Sequence, residues 1–445
     1  NGDTIQDLVV AIALNGSRTA LLLGNNDGTF QPAGVITRPR LGVPQDQAIA
    51  DFNRDGFLDL ALSLANGTEG LMEIRRGNGD GTFGAPQLYF APPPNSSIGG
   101  GTIVTGDFNR DGKLDQAVAN SISNTVSILL GNGDGSFQPG AAFAANRGPT
   151  SVATADFNRD GILDLVVANF GTGDYYAPAN FVLSTVSVLL GNGDGTFQAP
   201  QAFQGGRDPD AVVVGDFDGD SLLDLAVADY GVYPQRANTV SILRGNGNGT
   251  FGAPQAFVAG NGAVGLVAGD LNRDGKQDLA VTNYLDNSVS VLLGDGAGHF
   301  QNVGALAVGV NPWTAVVADF NGDQLPDLAV TGHSSDIVSV LLGHGDGTFN
   351  NHVWYRTNRN PTGLAAADLN GDGRTDLVAT NYFATTVSVL LGNSDGTFQN
   401  AVEFGVGMAP MSVAVADFNG DGKLDFSTAN YYENSVSVVL ALGVA

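Results

Sequence analysis

A nine-residue stretch, repeated along the whole chain, constrains the fold more than any other feature. One full copy runs from Asp417 to Asp425 and reads Asp-Phe-Asn-Gly-Asp-Gly-Lys-Leu-Asp. The other full copies begin at Asp51, Asp107, Asp156, Asp216, Asp270, Asp319 and Asp368. A shortened ninth copy opens the chain, with the third, fourth, fifth and ninth positions filled by Asn1, Gly2, Asp3 and Asp7.

The stretch carries side-chain oxygens at positions 1, 3, 5 and 9. Calcium takes six to eight oxygen ligands, and a tight loop with oxygens on alternate residues can surround one ion, with the backbone carbonyl of position 7 as a further ligand. Glycine at position 6 permits a sharp turn, although Ser221 and Gln324 replace it in two copies. We therefore predict about eight Ca²⁺ sites, weaker at those two copies. The predicted ligands are Asp51, Asn53, Asp55, Phe57, Asp59, Asp107, Asn109, Asp111, Lys113, Asp115, Asp156, Asn158, Asp160, Ile162, Asp164, Asp216, Asp218, Asp220, Leu222, Asp224, Asp270, Asn272, Asp274, Lys276, Asp278, Asp319, Asn321, Asp323, Leu325, Asp327, Asp368, Asn370, Asp372, Arg374, Asp376, Asp417, Asn419, Asp421, Lys423 and Asp425.

The loops do not fit the EF-hand. An EF-hand needs a glutamate at position 12 and a helix on each side. Position 12 holds no acid in any copy, and the flanks, such as 412–416 and 165–168, have the apolar and small residues of β-strands. A single Asp/Asn/Gly cluster would be an ordinary solvated turn, but eight regularly spaced copies favour metal loops that join two strands.

The spacing of the loops predicts a β-propeller. Successive copies start 56, 49, 60, 54, 49, 49 and 49 residues apart, and a period near 50 with short strands is typical of propeller blades. Each unit reads as four strands. Strand A precedes the loop (212–214) and strand B follows it (225–228), both apolar enough to be buried on two faces. Strand C recurs at 185–190, 288–293 and 386–391, and strand D at 197–203.

The repeats predict one all-β domain over residues 1–445, with a part-repeat at 1–50, full repeats over 51–416 and a part-repeat at 417–445. There are seven complete A-to-D units, a B-C-D set at the start and an A-B-C set at the end. We favour eight four-stranded blades, in which the two ends share the last blade, over seven, which would leave six strands over. Insertions at 91–101, 169–184 and 229–238 lie between strands and not between domains.

A second repeated stretch joins strands C and D. Its copies resemble Gly131-Asn132-Gly133-Asp134-Gly135, followed by Ser136 and Phe137. Asp-Gly between two strands is a hairpin signal, and the absence of a following Lys-Ser/Thr pair and helix argues against a phosphate loop. We predict a turn anchored by its phenylalanine, with an accessory metal role for the aspartate as the alternative.

Composition excludes several classes of function. The formal net charge of −26 comes mostly from the loops, and such acidity argues against nucleic-acid binding. There is no cysteine, so no disulfide can brace the fold, and no apolar run approaches a membrane span. No signal peptide is visible and the chain begins inside a repeat, so we expect a mature or truncated piece of a longer product.

The loops and the Gly-Asp-Gly-Thr-Phe turns resemble the FG-GAP and VCBS repeats of integrin α-subunit propellers and of many bacterial secreted proteins. The resemblance covers essentially the whole chain. It implies calcium in the loop between the first two strands of each blade and a partner on the opposite face. It also implies a secreted or cell-surface location, in a bacterium, and a place within a larger surface protein.

The sequence shows little sign of catalysis. None of the four histidines (His299, His333, His344 and His352) pairs with another at zinc-ligand spacing, and no strand–Gly-x-Ser-x-Gly–helix context is present. Most carboxylates belong to the loops, so few remain for an acid/base pair. We therefore expect no enzyme, with a lyase-like enzyme acting on a polysaccharide as the alternative.

Aromatic residues gather in the connections opposite the metal loops. Eight of the ten tyrosines lie in B-to-C connections, and Trp313 lies in a D-to-A connection. In an up-and-down blade both connections emerge on one face, where Arg147, Arg207, Arg236 and Arg359 also lie. Tyr and Trp are enriched at binding hot spots and stack on sugar rings, but they can also pack between blades. We predict a non-catalytic adhesion or recognition module for a glycan or extracellular protein, and a pure scaffold is a second version. The predicted ligand-binding residues are Tyr175, Tyr176, Tyr233 and Trp313.

Overall fold

The computed structural model describes residues 8–12, 18–24, 30–34, 43–65, 70–79, 82–91, 100–121, 123–171, 185–231, 237–416, 424–430 and 435–439. All regular elements in these ranges are β-strands. Within them, no helix is long and apolar enough to cross a membrane.

The chain begins with strands β1 (Leu8–Ile12), β2 (Arg18–Gly24) and β3 (Phe30–Gly34). The next strands are β4 (Val43–Ala50), β5 (Asp59–Ala65), β6 (Gly70–Arg75), β7 (Gln87–Ala91), β8 (Gly100–Gly106), β9 (Asp115–Asn120), β10 (Thr125–Leu129), β11 (Ala141–Ala144), β12 (Pro149–Ala155), β13 (Asp164–Asn169), β14 (Thr185–Leu189), β15 (Gln201–Gln204), β16 (Pro209–Gly215), β17 (Asp224–Asp229), β18 (Thr239–Leu243) and β19 (Gln255–Val258). The remaining strands are β20 (Ala263–Gly269), β21 (Asp278–Asn283), β22 (Ser288–Gly294), β23 (Phe300–Ala307), β24 (Pro312–Ala318), β25 (Asp327–Gly332), β26 (Ile337–Leu341), β27 (Val353–Arg356), β28 (Pro361–Ala367), β29 (Asp376–Asn381), β30 (Thr386–Leu390), β31 (Val402–Gly405), β32 (Pro410–Ala416), β33 (Asp425–Asn430) and β34 (Ser435–Val439).

The strands form antiparallel sheets arranged as a propeller. Strands β4 to β31 make seven four-stranded blades, each in the order A-B-C-D, which we number 1 to 7 along the chain. The A strand of each blade contacts the A strand of the next, and β32 contacts both β28 and β4. The A strands therefore form a closed inner ring, and the D strands lie at the outer rim.

The two ends of the chain meet in one further sheet of six strands. Its order is β3-β2-β1-β34-β33-β32, and the two ends pair where Leu8 lies opposite Val439. The structure thus contains seven four-stranded blades, and the expectation of eight four-stranded blades holds only in part. The ends do not share a four-stranded blade. All six of their strands join one sheet, because β1 pairs with β34 and so adds the three N-terminal strands to the three C-terminal ones.

Burial follows strand position. Every residue of the B strands of blades 2 to 7 is buried, as their apolar sequences predict. The A strands are only partly buried, contrary to expectation, because they form the inner ring and have no strand on one side. The D strand of blade 3 begins at Gln201 and not at Phe197, and β27 and β31 likewise begin four residues after the turn phenylalanine. Phe197 makes only an isolated bridge to Gly191.

Phenylalanines hold neighbouring blades together. The Phe at loop position 2 packs edge-on against the Phe of the C–D turn in the next blade: the ring centroids of Phe52 and Phe137 are 5.4 Å apart, and those of Phe157 and Phe251 are 5.6 Å apart. A third ring from strand D, such as Tyr89, packs on the same turn phenylalanine. Each such edge-on pair adds about 0.5–1.5 kcal/mol beyond its buried area. The prediction that the turn phenylalanine is a packing anchor is confirmed.

A buried polar side chain ends most B strands and ties them to strand C. In blade 5 the Asn283 amide donates to the hydroxyl oxygens of Ser288 at 3.0 Å and Ser290 at 2.9 Å. Blade 4 has Asp229 at this position, where it accepts hydrogen bonds from the hydroxyls of Thr239 and Ser241 at 2.7 and 2.8 Å. Burial raises the pKa of Asp229 to about 7. Blade 4 therefore buries a titratable acid where blade 5 buries a neutral amide.

A reciprocal polar contact closes the ring. The Gln47 side-chain amide in β4 donates to the Ser427 carbonyl in β33 at 2.9 Å, and the Ser427 hydroxyl donates to Gln47 Oε1 at 3.0 Å. Both side chains are buried. At the equivalent positions other blades have apolar side chains, such as Val152 and Val212 in place of Gln47. The closing junction is therefore chemically distinct from those between the other blades.

Candidate functional site

The nine-residue stretches connect strands A and B, as the sequence predicts. Seven lie within the described residues: 51–59, 107–115, 156–164, 216–224, 270–278, 319–327 and 368–376. Of the eighth, only Leu424 and the buried Asp425 are described, and the shortened copy at the N-terminus lies outside the described residues.

Positions 1, 3 and 5 fold the loop around its own side-chain oxygens. In the first loop, Asp51 accepts a hydrogen bond from the Gly56 N–H at 2.9 Å, and Asn53 accepts one from the Asp55 N–H at 2.8 Å. Asp55 in turn accepts one from the Phe57 N–H at 2.8 Å. The same three bonds occur in all seven described loops. These hydrogen bonds bring the side chains at positions 1, 3 and 5 together within one loop. Each carboxylate keeps further acceptor capacity that the backbone donors do not use.

Position 9 has a structural role that the sequence analysis missed. Asp59 is fully buried, and its two oxygens accept hydrogen bonds from the Phe52 N–H at 2.9 Å and from the Gly77 N–H of the C–D turn at 2.8 Å. The same pair of bonds recurs at Asp115, Asp164, Asp224, Asp278, Asp327 and Asp376. Position 9 therefore joins each described A–B loop to the C–D turn of its own blade.

The buried aspartate also faces the other loop acids. Desolvation raises the pKa of Asp115, Asp164, Asp224 and Asp376 to about 6, and the carboxylates at positions 1 and 5 of each loop, or at 3 and 5 around Asp224, add to the rise. The two N–H donors oppose this rise but do not cancel it. Clustered carboxylates repel one another, and a bound cation or a bound proton relieves this repulsion.

The loops require a left-handed backbone at two positions. Positions 4 and 6 both have positive φ, as at Arg54 (62°) and Gly56 (89°). Ser221 and Gln324, which replace the glycine at position 6, keep this conformation with φ of 66° and 65°. The loss of glycine thus preserves the loop shape but adds strain, because left-handed geometry costs an L-residue about 1–2 kcal/mol.

The donor set fits a hard divalent cation such as calcium, which prefers oxygen ligands. Ligand oxygens of Asp216, Asp218 and Asp224 lie within 4.8 Å of one another, and this is the one such group of His, Cys and acidic side chains in the described part of the chain. In three other loops a position-7 cation reaches the position-5 carboxylate, as Lys113 Nζ does to Asp111 at 2.9 Å. These ion pairs lower the repulsion among the carboxylates of the loop, but they are partly exposed and therefore weak.

The opposite face is built from paired turns. The residue that follows strand B donates its N–H to the turn before strand A of the same blade: Tyr284 to the Gly262 carbonyl at 2.8 Å, and Tyr382 to the Asn360 carbonyl at 2.9 Å. These hydrogen bonds fix the B–C and D–A connections side by side. The prediction that the two connections share one face is confirmed.

A row of aromatic rings crosses this face from blade 5 to blade 7. We call Tyr284, Trp313, His333, Tyr382 and Phe383 the aromatic row. Successive ring centroids are 5.7, 5.7, 6.4 and 5.0 Å apart. Trp313 is 40% exposed and Phe383 is 58% exposed, whereas the other three rings are half-buried. The row therefore both packs between blades and presents two rings to solvent.

Only some of the predicted ligand-binding residues can be located. Trp313 lies in the aromatic row, whereas Tyr175, Tyr176 and Tyr233 lie outside the described residues. His333 and Phe383 are not among the residues predicted from the sequence. His333 occupies the repeat position that Tyr284 and Tyr382 fill in neighbouring blades, and an alignment of that position would have shown it. His299 and His344 lie in exposed C–D turns, as expected.

Solved structures with a similar fold cover nearly the whole chain. The exotype rhamnogalacturonan lyase YesX matches with a TM-score of 0.57 and 12% identity, covering 100% of this chain and 86% of the lyase. A Lactobacillus plantarum protein gives 0.50 and 13%, covering 92% and 98%. An Agrocybe aegerita lectin that recognises non-reducing terminal N-acetylglucosamine gives 0.47 and 18%, covering 97% and 96%. At such low identity these similarities show the fold alone.

Sequence comparison identifies the repeats. No curated protein sequence matches the chain significantly. The FG-GAP-like repeat profile matches eight times, at residues 1–62, 51–118, 107–167, 171–227, 218–281, 271–330, 319–379 and 368–427. These matches together cover almost the entire sequence and coincide with the loops and strands described above. The chain belongs to the FG-GAP-like repeat family.

Proposed function

We propose that this protein is a calcium-stabilised, non-catalytic recognition module, secreted or displayed at the cell surface, that binds a glycan or an extracellular protein through the aromatic row. The observation that carries the proposal is the row itself. It lies on the face opposite the acidic loops, spans three blades and exposes Trp313 and Phe383.

Calcium suits the loops on chemical grounds. Each loop offers only oxygen donors, and each buries an aspartate whose pKa is raised by desolvation and neighbouring carboxylates. Calcium would relieve that repulsion at positions 1, 3, 5 and 9 and hold strands A and B together at the loop end. Extracellular calcium modules bind at roughly 10⁻⁴–10⁻³ M, a range that matches a secreted protein.

The aromatic row is suited to recognition because its rings are held in place before a ligand arrives. Tyr284 packs edge-on against Trp313, and the Thr282 hydroxyl donates to the Trp313 carbonyl at 3.0 Å. A fixed ring loses little conformational entropy on binding, which is one reason Trp and Tyr dominate hot spots. Exposed faces of such rings stack on sugars or on apolar side chains of a protein.

Two of the acids on this face have structural roles, which agrees with binding without catalysis. Asp286 accepts hydrogen bonds from the Asn261 backbone and side chain, and Asp336 accepts one from the Asn360 N–H at 2.9 Å. Both carboxylates hold turns and neither is paired with a second acid. The fold shared with a rhamnogalacturonan lyase nevertheless makes uronide cleavage the rival activity to test.

The test is a binding screen on an array of glycans and extracellular proteins, with Trp313→Ala and Phe383→Ala as variants. Trp354→Ala is the matched control, because Trp354 is 55% exposed but lies in β27 at the outer rim. The proposal expects a ligand whose binding falls at least tenfold in both face variants and is unchanged in the control, with all melting temperatures alike. Cleavage of uronide polymers by the wild-type protein, or ligand binding that both face variants retain, would refute it.

A further inference from the structure

Three exposed arginines occupy the same repeat position on the face of the aromatic row. Arg147, Arg207 and Arg359 each lie two residues before the proline that begins strand A. The backbone carbonyl of each accepts a hydrogen bond from the second residue after strand B in the same blade, at 2.9, 3.2 and 3.2 Å. This repeated bond fixes the arginine backbones at the same place in blades 3, 4 and 7.

Each of these arginines precedes a residue whose carbonyl is hydrogen-bonded to the backbone of an aromatic residue. The residue after the arginine accepts a hydrogen bond from the N–H of Phe170, Tyr230 or Tyr382, at 2.8, 3.2 and 2.9 Å. Phe170 and Tyr230 also approach each other across blades 3 and 4, with ring centroids 6.2 Å apart. The face therefore repeats an exposed arginine and a half-buried aromatic residue on adjoining turns.

Two of the arginines are not in an ion pair in the described part of the chain, although the Asp336 carboxylate accepts the N–H of Asn360, next to Arg359. Arg147 and Arg359 make no ion pair and no side-chain hydrogen bond within the described residues. By contrast, Lys113, Lys276 and Arg374 in the metal loops each reach a carboxylate. In a chain with a net charge of −26, cations left unpaired on one face indicate that an external anion can be bound there.

We propose that this face binds an acidic polysaccharide, with its uronate carboxylates on the arginines and its sugar rings on the neighbouring aromatic side chains. This inference rests on the proposed recognition function and specifies its ligand class. A planar guanidinium donates two parallel hydrogen bonds to a carboxylate, and a sugar ring stacks on an aromatic face, so an arginine and an aromatic residue on adjoining turns suit a uronic acid. The acids of the opposite face do not cancel this attraction, because salt screens charges beyond about 8 Å at physiological ionic strength. On the same face, Asp286 and Asp336 accept hydrogen bonds from turn N–H groups.

The experiment measures binding of a short oligogalacturonide and of the same oligomer with its carboxylates reduced to alcohols. The variant is Arg147→Gln with Arg359→Gln, and the matched control is Arg356→Gln, an exposed arginine in β27 at the outer rim. The expected result is binding of the acidic oligomer that weakens about tenfold or more on reduction and by at least as much in the double variant. The control should bind like the wild type, and added salt should weaken binding.

Equal binding of the two oligomers, or unchanged binding in the double variant, would overturn the inference. So would a failure to bind the acidic oligomer, or tighter arginine-dependent binding of single-stranded nucleic acid. If a neutral glycan or a protein from the array binds the wild type, and this binding is lost in Trp313→Ala, the recognition function stands. Only the acidic ligand class is then refuted. Equal melting temperatures of wild type and variants show that the exposed substitutions leave the fold intact.

Discussion

Replacing Asp229 with asparagine should stabilise the protein at neutral and basic pH. Asp229 is buried in blade 4, where the hydroxyls of Thr239 and Ser241 both donate to its Oδ2 atom. Burial raises its pKa from 3.8 to about 7, so the folded protein holds a proton there that the unfolded chain releases. Stability is therefore lost as pH rises from about 4 to about 7. Asparagine carries no such proton and can donate to Thr239 and Ser241, as Asn283 donates to its serines.

The size of the effect follows from the pKa shift. A rise of about 3 units corresponds to about 4 kcal/mol, since one unit is worth about 1.4 kcal/mol. The variant should therefore be more stable than wild type by about 4 kcal/mol at pH 8 and nearly equal to it at pH 4. An unfolding entropy of roughly 2.1 cal/mol/K per residue converts this into a rise of about 4 °C in Tm for cooperative unfolding of 445 residues.

The assay is thermal unfolding, followed by calorimetry, from pH 4 to pH 8 at fixed calcium. Asn283→Asp is the reverse experiment: it places an acid at the same position in blade 5 and should lower Tm at pH 8 more than at pH 4. Asp286→Asn, at an exposed acid, is the control: asparagine keeps an acceptor oxygen for the Asn261 N–H, so Tm should change little. A Tm difference between Asp229→Asn and wild type that is the same at pH 4 and pH 8 would refute the buried-proton argument.

Three further predictions concern the loops. Chelating calcium should lower Tm by about 10 °C, because eight sites with a Kd of about 0.1 mM contribute on the order of 11 kcal/mol at about 1 mM calcium; a change of a degree or less would mean that the loops are ordinary turns. Asp55→Ala should remove one calcium equivalent by mass spectrometry, whereas Asp59→Ala should also destabilise the chelated protein by about 2–6 kcal/mol, since the N–H groups of Phe52 and Gly77 lose their acceptor; equal Tm losses in chelator would contradict this distinction. Ser221→Gly should raise stability by about 1 kcal/mol, seen as a higher Tm, because glycine adopts positive φ without strain.

The sequence predicts the repeat architecture well because each loop carries its own local signal. Alternating oxygens around position 6 define the turn between strands A and B, and Asp-Gly defines the turn between C and D. The sequence predicts the buried B strands for the same reason, since a run such as 225–228 is apolar on both faces. The partial burial of the A strands depends on ring closure, which no local pattern encodes.

The site was less predictable because its contacts join distant residues. Asp59 looks like a metal ligand by its spacing, and its bond to Gly77 becomes visible only when the C–D turn folds back beside the loop. The contribution of His333 to the aromatic row depends on Trp313, which lies in β24 and not in the D–A connection as predicted, and on Tyr382 of the next blade. The six-stranded sheet similarly depends on both ends of the chain meeting, as Leu8 does with Val439.

The Gln47–Ser427 contact has a consequence for how such a chain can change its length. A duplicated repeat inserted between internal blades places an apolar side chain, like Val152 or Val212, at the position of Gln47 on both sides of each new junction. One inserted at the closing junction would face Gln47 with an apolar side chain and leave its buried Oε1 atom without the hydroxyl donor that Ser427 supplies, at a cost of roughly 1–3 kcal/mol. This one junction therefore acts as a check on the number of repeats, and gain or loss of blades is expected to occur in the interior of the array.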